Sequence, residues 1–137
     1  MNFSEFYISN SEGKSNCVIR SFCKMYNKEY DQVFEELCLI AKEIGCTSFN
    51  DVAVFEMYMK NHDTDVINCE KDVRIKDLDL DDGSYIVFCW DNKEFYHMIA
   101  IINKVIYDKD DKCLDLYPIS IYRYNVLKKE INTGSKI

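Results

Sequence analysis

Apolar side chains recur at helical spacing in the first half of the chain. Behind Asn16, one such face is formed by Val18, Ile19, Phe22, Cys23 and Tyr26. A second helical run starts with a cap at Asp31 and ends at Gly45. A third begins at Ser48, with Asp51 completing a capping box three residues later. The pattern therefore predicts three helices.

Continuous apolar runs rich in β-forming residues replace this spacing after residue 82. They cover residues 85–90, 95–102, 105–107, 113–117 and 119–124, with polar turns between them. Because the runs are apolar on both faces, we expect a sheet that is covered on both sides, with helices on one. Helices followed by an antiparallel sheet predict an α+β fold.

The remaining segments are short and polar, or lie at the ends of the chain. Residues 3–8 are predicted to form a short apolar anchor, and residues 63–82 an acidic, solvated connection. A length of 137 residues suits a single domain spanning 1–137, with a frayed tail from about residue 125. We therefore expect one core built from both halves of the chain.

Composition narrows the class of protein. A net charge of −7 disfavours nucleic acid as a partner, because such binding depends on neutralising phosphates. The N-terminus lacks the features of a signal peptide, and no apolar run reaches transmembrane length, so we expect a cytoplasmic protein without a membrane partner. The seven cysteines are scattered without a C-x-x-C pair, which argues against a disulfide framework and a zinc ribbon. We predict neither a metal nor a cofactor.

Cys17 is the first candidate for chemistry. It would lie in the first turn of a helix capped by Asn16 or Ser15, where unpaired backbone N–H groups and the helix dipole favour a thiolate over a thiol. The simpler interpretation is a small apolar residue, like other cysteines of the chain. A histidine partner decides between the two interpretations.

His97 lies near the start of the apolar run 95–102. If Asn103-Lys104 is a hairpin loop, Ile102 faces Val105, Ile99 faces Asp108 and His97 faces Asp110. His97 and both carboxylates then share one side of the sheet, so that one of them orients the imidazole and the other ring nitrogen faces the thiolate. We favour Asp108, which follows directly on the strand.

With a cysteine, a histidine and an aspartate in this order along it, the chain resembles the papain-like cysteine hydrolases. The resemblance is strongest to their compact bacterial and phage versions, including those related to the double-glycine-leader peptidase domains. The motifs that carry the resemblance are Asn16-Cys17-Val18-Ile19-Arg20, Tyr96-His97-Met98-Ile99-Ala100 and Val105-Ile106-Tyr107-Asp108. The resemblance implies a papain-like fold with Cys17 as nucleophile, His97 as general base and Asp108 as its orienter. It also implies a protein or peptide substrate.

One departure concerns the oxyanion hole. Papain-like enzymes place a glutamine a few residues before the cysteine, whereas the single glutamine here is Gln32 on the second predicted helix. The backbone N–H of Cys17 can supply one donor, and our candidates for the second are Asn10 and Asn16, although capping explains Asn16 more simply.

Two further polar residues have open roles. Arg20, one helical turn after Cys17, either supports the thiolate electrostatically or forms a structural ion pair. His62, at the predicted end of the third helix, is expected to interact with that helix C-terminus.

The leading hypothesis is a peptidase or isopeptidase that forms an acyl-enzyme through Cys17. One alternative is acyl transfer to an amine, as in transglutaminase-like and arylamine-acetyltransferase folds. The other is a papain-like protein-binding module that has little or no catalytic activity.

Overall fold

The computed structural model describes residues 1–126. Within them lie three α-helices, α1 Cys17–Tyr26, α2 Tyr30–Ile44 and α3 Val52–Asn61. The strands are β1 Asn2–Glu5, β2 Thr64–Ile67, β3 Ser84–Trp90, β4 Tyr96–Ile102, β5 Val105–Asp108 and β6 Tyr117–Tyr124. Two short 3₁₀ helices cover Ile75–Asp77 and Asp111–Asp115. The fold class is α+β, as the sequence predicts. Residues 127–137, most of the tail predicted to fray, lie outside the described residues.

The six strands form one mixed sheet in the order β1-β5-β4-β3-β6-β2. The prediction of an antiparallel sheet is wrong at one edge, because β1 pairs with β5 in parallel, from Asn2 against Val105 to Glu5 against Asp108. The segment predicted as an apolar anchor thus begins as a strand, with Phe3 packed against the core. By covering β5, this strand places Asp108 inside the sheet instead of at its edge.

The β4–β5 hairpin has the predicted register. Ile102 pairs with Val105 and Ala100 with Tyr107, across a two-residue turn. Both turn residues have positive φ, 48° for Asn103 and 66° for Lys104, as a tight hairpin with the right twist requires. The turn therefore sets which face of β5 each side chain occupies.

Two predictions in the strand region are wrong. The run 113–117 forms a 3₁₀ helix for most of its length, in which Cys113 and Leu116 pack on the sheet instead of pairing with it. The side chain of Asp110 caps that helix by accepting from the Lys112 N–H. In the connection predicted to be solvated, Thr64–Ile67 forms β2, which pairs with β6.

The sheet is covered on both faces, as predicted. The three helices pack on one face, through side chains that include Phe22, Leu37, Phe55 and Tyr58, against Ile86, Met98 and Ala100. The two 3₁₀ helices cover the other face, where Ile75 and Cys113 pack with Val87, Ile99 and Ile106. Burial of apolar area on both faces is the main stabilising contribution to such a fold.

The helix ends differ slightly from the predicted ones. α2 begins after Glu29 rather than at Asp31, and ends as predicted at Gly45, which has a φ of 77°. α3 begins at Val52 with Asp51 as its N-cap, a turn later than the predicted start at Ser48. Among residues 1–126, no helix combines the length and the apolar character needed to cross a membrane.

Candidate active site

Cys17 is the first residue of α1 and is partly exposed. Asn16 caps the helix: its Oδ1 accepts from the N–H groups of Val18 at 2.9 Å and Ile19 at 3.4 Å. The N–H of Arg20 bonds to the Asn16 carbonyl. Within the described residues, Cys17 therefore has the one first-turn N–H without a hydrogen bond, and that donor lies beside its thiol.

His97 lies one residue into β4 and is 8% exposed. Its Nε2 donates to Asp108 Oδ2 at 2.7 Å. The ring also interacts with the Cys17 thiol, and because Nε2 bonds to Asp108, Nδ1 is the nitrogen left to face it. The Phe95 ring stacks on the imidazole, with 5.7 Å between the centroids. The histidine thus joins the cysteine to the carboxylate.

Asp108 ends β5 and is 2% exposed. While its Oδ2 accepts from His97, its Oδ1 accepts from Arg20 Nη2 and from the Lys109 N–H, both at 2.8 Å. The competing candidate Asp110 belongs to the 3₁₀ helix that it caps. The structure therefore brings together Cys17, His97 and Asp108, the three residues that the sequence selects.

The site favours the charged forms of all three groups. Burial raises the pKa of the Cys17 thiol, but the hydrogen bond and charge of His97 outweigh it, so that the pKa lies below 9.0. Burial lowers the pKa of His97, whereas Asp108 and Cys17 raise it to about 9. Burial also raises the pKa of Asp108, but His97, the Lys109 N–H and Arg20 hold it below its usual range. These directions favour a thiolate–imidazolium pair at neutral pH.

Other cysteines of the chain have the opposite shift. Burial raises the pKa of Cys23 to about 11 and that of Cys89 well above its ordinary value. The pKa values of the Cys38, Cys46 and Cys113 thiols are also raised, mainly by burial. Cys17 is thus distinguished from these five by positively charged neighbours, His97 and Arg20.

Two depressions meet at Cys17 and His97. A broad cleft of about 730 Å³ is polar and charged along part of its wall, where Ser15, Lys109, Asp110 and Lys112 lie. A smaller pocket of about 250 Å³ is mainly apolar and is lined by side chains that include Val18, Val52, Phe55, Phe88 and Tyr96. A chain lying across the thiol would therefore meet a polar surface on one side and an apolar one on the other.

The two predicted oxyanion donors have different positions. Asn16 lines the broad cleft beside Cys17, with its Oδ1 used in capping. Asn10 does not line either depression, and its Oδ1 accepts from the N–H groups of Glu12 and Lys14, so it organises the loop before α1. Asn16 thus lies beside the thiol, whereas Asn10 lies outside both depressions.

Arg20, whose role the sequence left open, belongs to the site. It is 4% exposed and pairs with Asp108. The available signal is its position, a charged residue inside the apolar run from Val18 to Phe22. Such a residue is almost never buried unless it is paired.

Comparisons of the chain with protein-family models, with curated proteins and with solved structures gave no match. Among residues 1–126, no group of three or more His, Cys, Asp or Glu side chains has an arrangement that could hold a metal ion. Function is therefore inferred from the geometry of the site.

Proposed function

We propose that this protein is a thiol hydrolase, a peptidase or isopeptidase, that cleaves an amide bond through Cys17. The observation that carries the proposal is the arrangement of Asp108, His97 and Cys17: His97 Nε2 lies 2.7 Å from Asp108 Oδ2, and the ring and the thiol line the same two depressions. A thiolate at the mouth of a cleft, with an adjacent imidazolium, has both the nucleophile and the acid that amide cleavage needs.

In the first half of the reaction, the Cys17 thiolate attacks the amide carbonyl carbon and forms a C–S bond. The carbonyl oxygen takes up the negative charge, and the N–H of Cys17 and the amide of Asn16 are its proposed donors. His97 gives its Nδ1 proton to the leaving nitrogen as the C–N bond breaks. The amine leaves, and the acyl group remains on Cys17 as a thioester.

Water completes the turnover. Neutral His97 takes a proton from water at Nδ1, and the resulting hydroxide attacks the thioester carbonyl. The C–S bond breaks, the carboxylic acid leaves, and the thiolate–imidazolium pair is restored. Asp108 keeps the imidazole oriented throughout by accepting from Nε2.

We further propose that the fold is papain-like. A cysteine that opens the first helix, a histidine on a central strand and an aspartate at the end of the next strand support this relationship, as does their order along the chain. The expected substrate is a protein or peptide, because the broad cleft is open to solvent on the polar side of Cys17.

The test is capture of the acyl-enzyme. Wild-type protein is incubated with a mixture of peptide thioesters and peptide amides, quenched in acid and measured by intact mass. We expect a mass gain that maps to Cys17, decays with time and is absent from Cys17→Ala. The matched control is Cys38→Ala, which removes an exposed thiol on α2 and should leave the adduct unchanged.

The other outcomes separate the alternatives. If added amine converts the adduct into a new amide faster than water releases it, the protein is an acyltransferase. If a peptide binds equally to wild type and Cys17→Ala, and no adduct forms with any acyl donor, the protein is a binding module and the hydrolase proposal is wrong.

A further inference from the structure

Arg20 is an unusual residue for its position. It lies in α1 one turn after Cys17 and is only 4% exposed. A guanidinium group is costly to bury unless hydrogen bonds and an opposite charge compensate for lost water. The surroundings of Arg20 should therefore contain a specific reason for its burial.

The contacts of Arg20 connect the cysteine and the carboxylate. Its Nη2 donates to Asp108 Oδ1 at 2.8 Å, and its Nη1 donates to Ser15 Oγ at 3.0 Å. Ser15 lies two residues before Cys17, in the segment that leads into α1. One side chain thus ties the approach to the nucleophile to the end of β5.

Asp108 is fully used by these contacts. One oxygen accepts from His97, and the other accepts from Arg20 and the Lys109 N–H. If the carboxylate turned, it would lose hydrogen bonds on both oxygens. Arg20 therefore holds Asp108 in the orientation that His97 needs, without touching the thiol itself.

The charges give Arg20 a second effect. With Arg20 present, the thiolate, imidazolium, carboxylate and guanidinium of this network sum to zero. They also sum to zero when Cys17 and His97 are both neutral. Without Arg20 either form carries one uncompensated negative charge in a buried site, which is unfavourable.

We propose that Arg20 is a positioning residue that acts through Asp108, fixing its orientation and balancing its charge beside His97. This inference rests on the proposed function of the site. Asp108 alone would keep His97 protonated, yet His97 must be neutral to take a proton from water in the second half of the reaction. By offsetting the charge of Asp108, Arg20 makes release of that proton easier.

Other charged and titratable groups lie around this network. They are Glu5, which pairs with Asp108 from β1, Tyr7 and Tyr96 in the cleft, Cys89 on β3, and Lys109, Asp110, Lys112 and Cys113 after β5. The two lysines are exposed, so their charges are screened by solvent, whereas Arg20 is buried and in direct contact with Asp108. Arg20 should therefore have the larger effect.

The experiment measures the alkylation rate of Cys17 against pH, by intact mass and peptide mapping. Iodoacetamide reports the thiolate, and iodoacetate also reports the positive charge of His97, because its carboxylate is attracted to it. Removal of a nearby cation makes each proton harder to remove. We expect Arg20→Met to move both the rising and the falling limbs of the iodoacetate profile to higher pH, by about half a unit or more.

Two variants refine the result. Arg20→Lys keeps the cation but not the fork of donors, so its limbs should stay near those of wild type while the maximal rate falls. Arg20→Lys also tests the charge role if Arg20→Met does not fold. Because this variant keeps the cation, a shift of its limbs as large as that expected for loss of the cation would contradict the charge role. Ser15→Ala removes only the second contact of Arg20 and should leave both limbs in place.

The failures can be told apart. If the rate in Arg20→Met falls equally at every pH and neither limb moves, Arg20 is only structural and the inference is wrong. If Cys17 of the wild-type protein already titrates as an ordinary thiol, the proposed function itself is wrong. Alkylation requires no turnover, so the two results are independent of any substrate.

Discussion

The two histidines of the chain both contact aromatic rings and polar groups, but the groups at their ring nitrogens differ. His62 caps α3, where its Nδ1 donates to the Tyr58 carbonyl at 2.7 Å and its Nε2 accepts from Lys28 Nζ at 2.8 Å. His97 has a carboxylate on Nε2 and a thiol at its other nitrogen. Both rings contact aromatic side chains.

The difference lies in what the second nitrogen meets. Both ring nitrogens of His62 bond to groups that are not nucleophiles in a cleft, the Tyr58 carbonyl and the Lys28 ammonium. His97 meets a thiol that lines two depressions and can exchange a proton with it. Burial and hydrogen bonding alone therefore do not mark a catalytic histidine. A histidine becomes a catalytic candidate when it lies in a cleft beside a group with which it can exchange a proton.

The largest effect should come from removing the His97 ring. In His97→Ala, Cys17 keeps its burial but loses the hydrogen bond and charge that lower its pKa. For a thiol pKa above 7, each further unit lowers the thiolate fraction at pH 7 about tenfold, so we expect alkylation of Cys17 at pH 7 to fall about tenfold or more.

His62→Ala is the matched control for this measurement. It should leave the alkylation rate of Cys17 within about twofold of wild type, because its contacts lie at the end of α3. The rate in His97→Ala should also rise about tenfold per pH unit up to about pH 9, whereas the wild-type rate should level off at a lower pH. Equal losses in the two variants would contradict the distinction between the two rings.

Much of this site could be predicted from the sequence because the signals are local. A polar cap followed by apolar residues at helical spacing placed Cys17 at the start of α1, and the Asn103-Lys104 turn set the β4–β5 register. That register places both Asp108 and Asp110 on the same side of the sheet as His97. Asp108 is preferred because it follows directly on the strand, and in the structure Asp110 caps the next 3₁₀ helix.

The parts that were missed depend on contacts between distant segments. β1 has four residues, and its parallel partner β5 lies about a hundred residues later, so neither has a local signal for the pairing. Cys113 and Leu116 have the apolar character of a strand, but tertiary packing places them in and beside a 3₁₀ helix. The role of Arg20 depends on Asp108, 88 positions away in sequence.

On the proposed function, the apolar pocket beside Cys17 and His97 is a surface for a substrate side chain. Val52 lines the apolar pocket beside Cys17 and is 47% exposed, while Met57 on the same helix is 38% exposed and does not line it. We expect Val52→Asp to slow labelling of Cys17 by a peptide vinyl sulfone with a leucine side chain about tenfold. Met57→Asp adds the same charge to the same helix and should not.

The reagent provides an internal check on this result. Iodoacetamide is too small to need the pocket, so both aspartate variants should react with it at nearly the wild-type rate. If Val52→Asp slows both reagents equally, the substitution acts on the thiol and not on recognition of the side chain. The pocket would then have no part in binding.

The smallest expected effect is on stability, and its pH dependence distinguishes the two rings. The pKa of His97 is raised from 6.5 to about 9 in the folded protein. A raised pKa contributes stability that is complete below pH 6.5 and is lost as the pH rises through about 9.

We therefore expect His97→Gln to lower the melting temperature by about 4 °C at pH 6 and by much less at pH 9.5. Thermal unfolding of wild type, His97→Gln and His62→Gln across this range is the measurement. A constant difference between wild type and His97→Gln would mean that His97 contributes by packing alone, and that its ion pairs with Asp108 and Cys17 do not stabilise the fold.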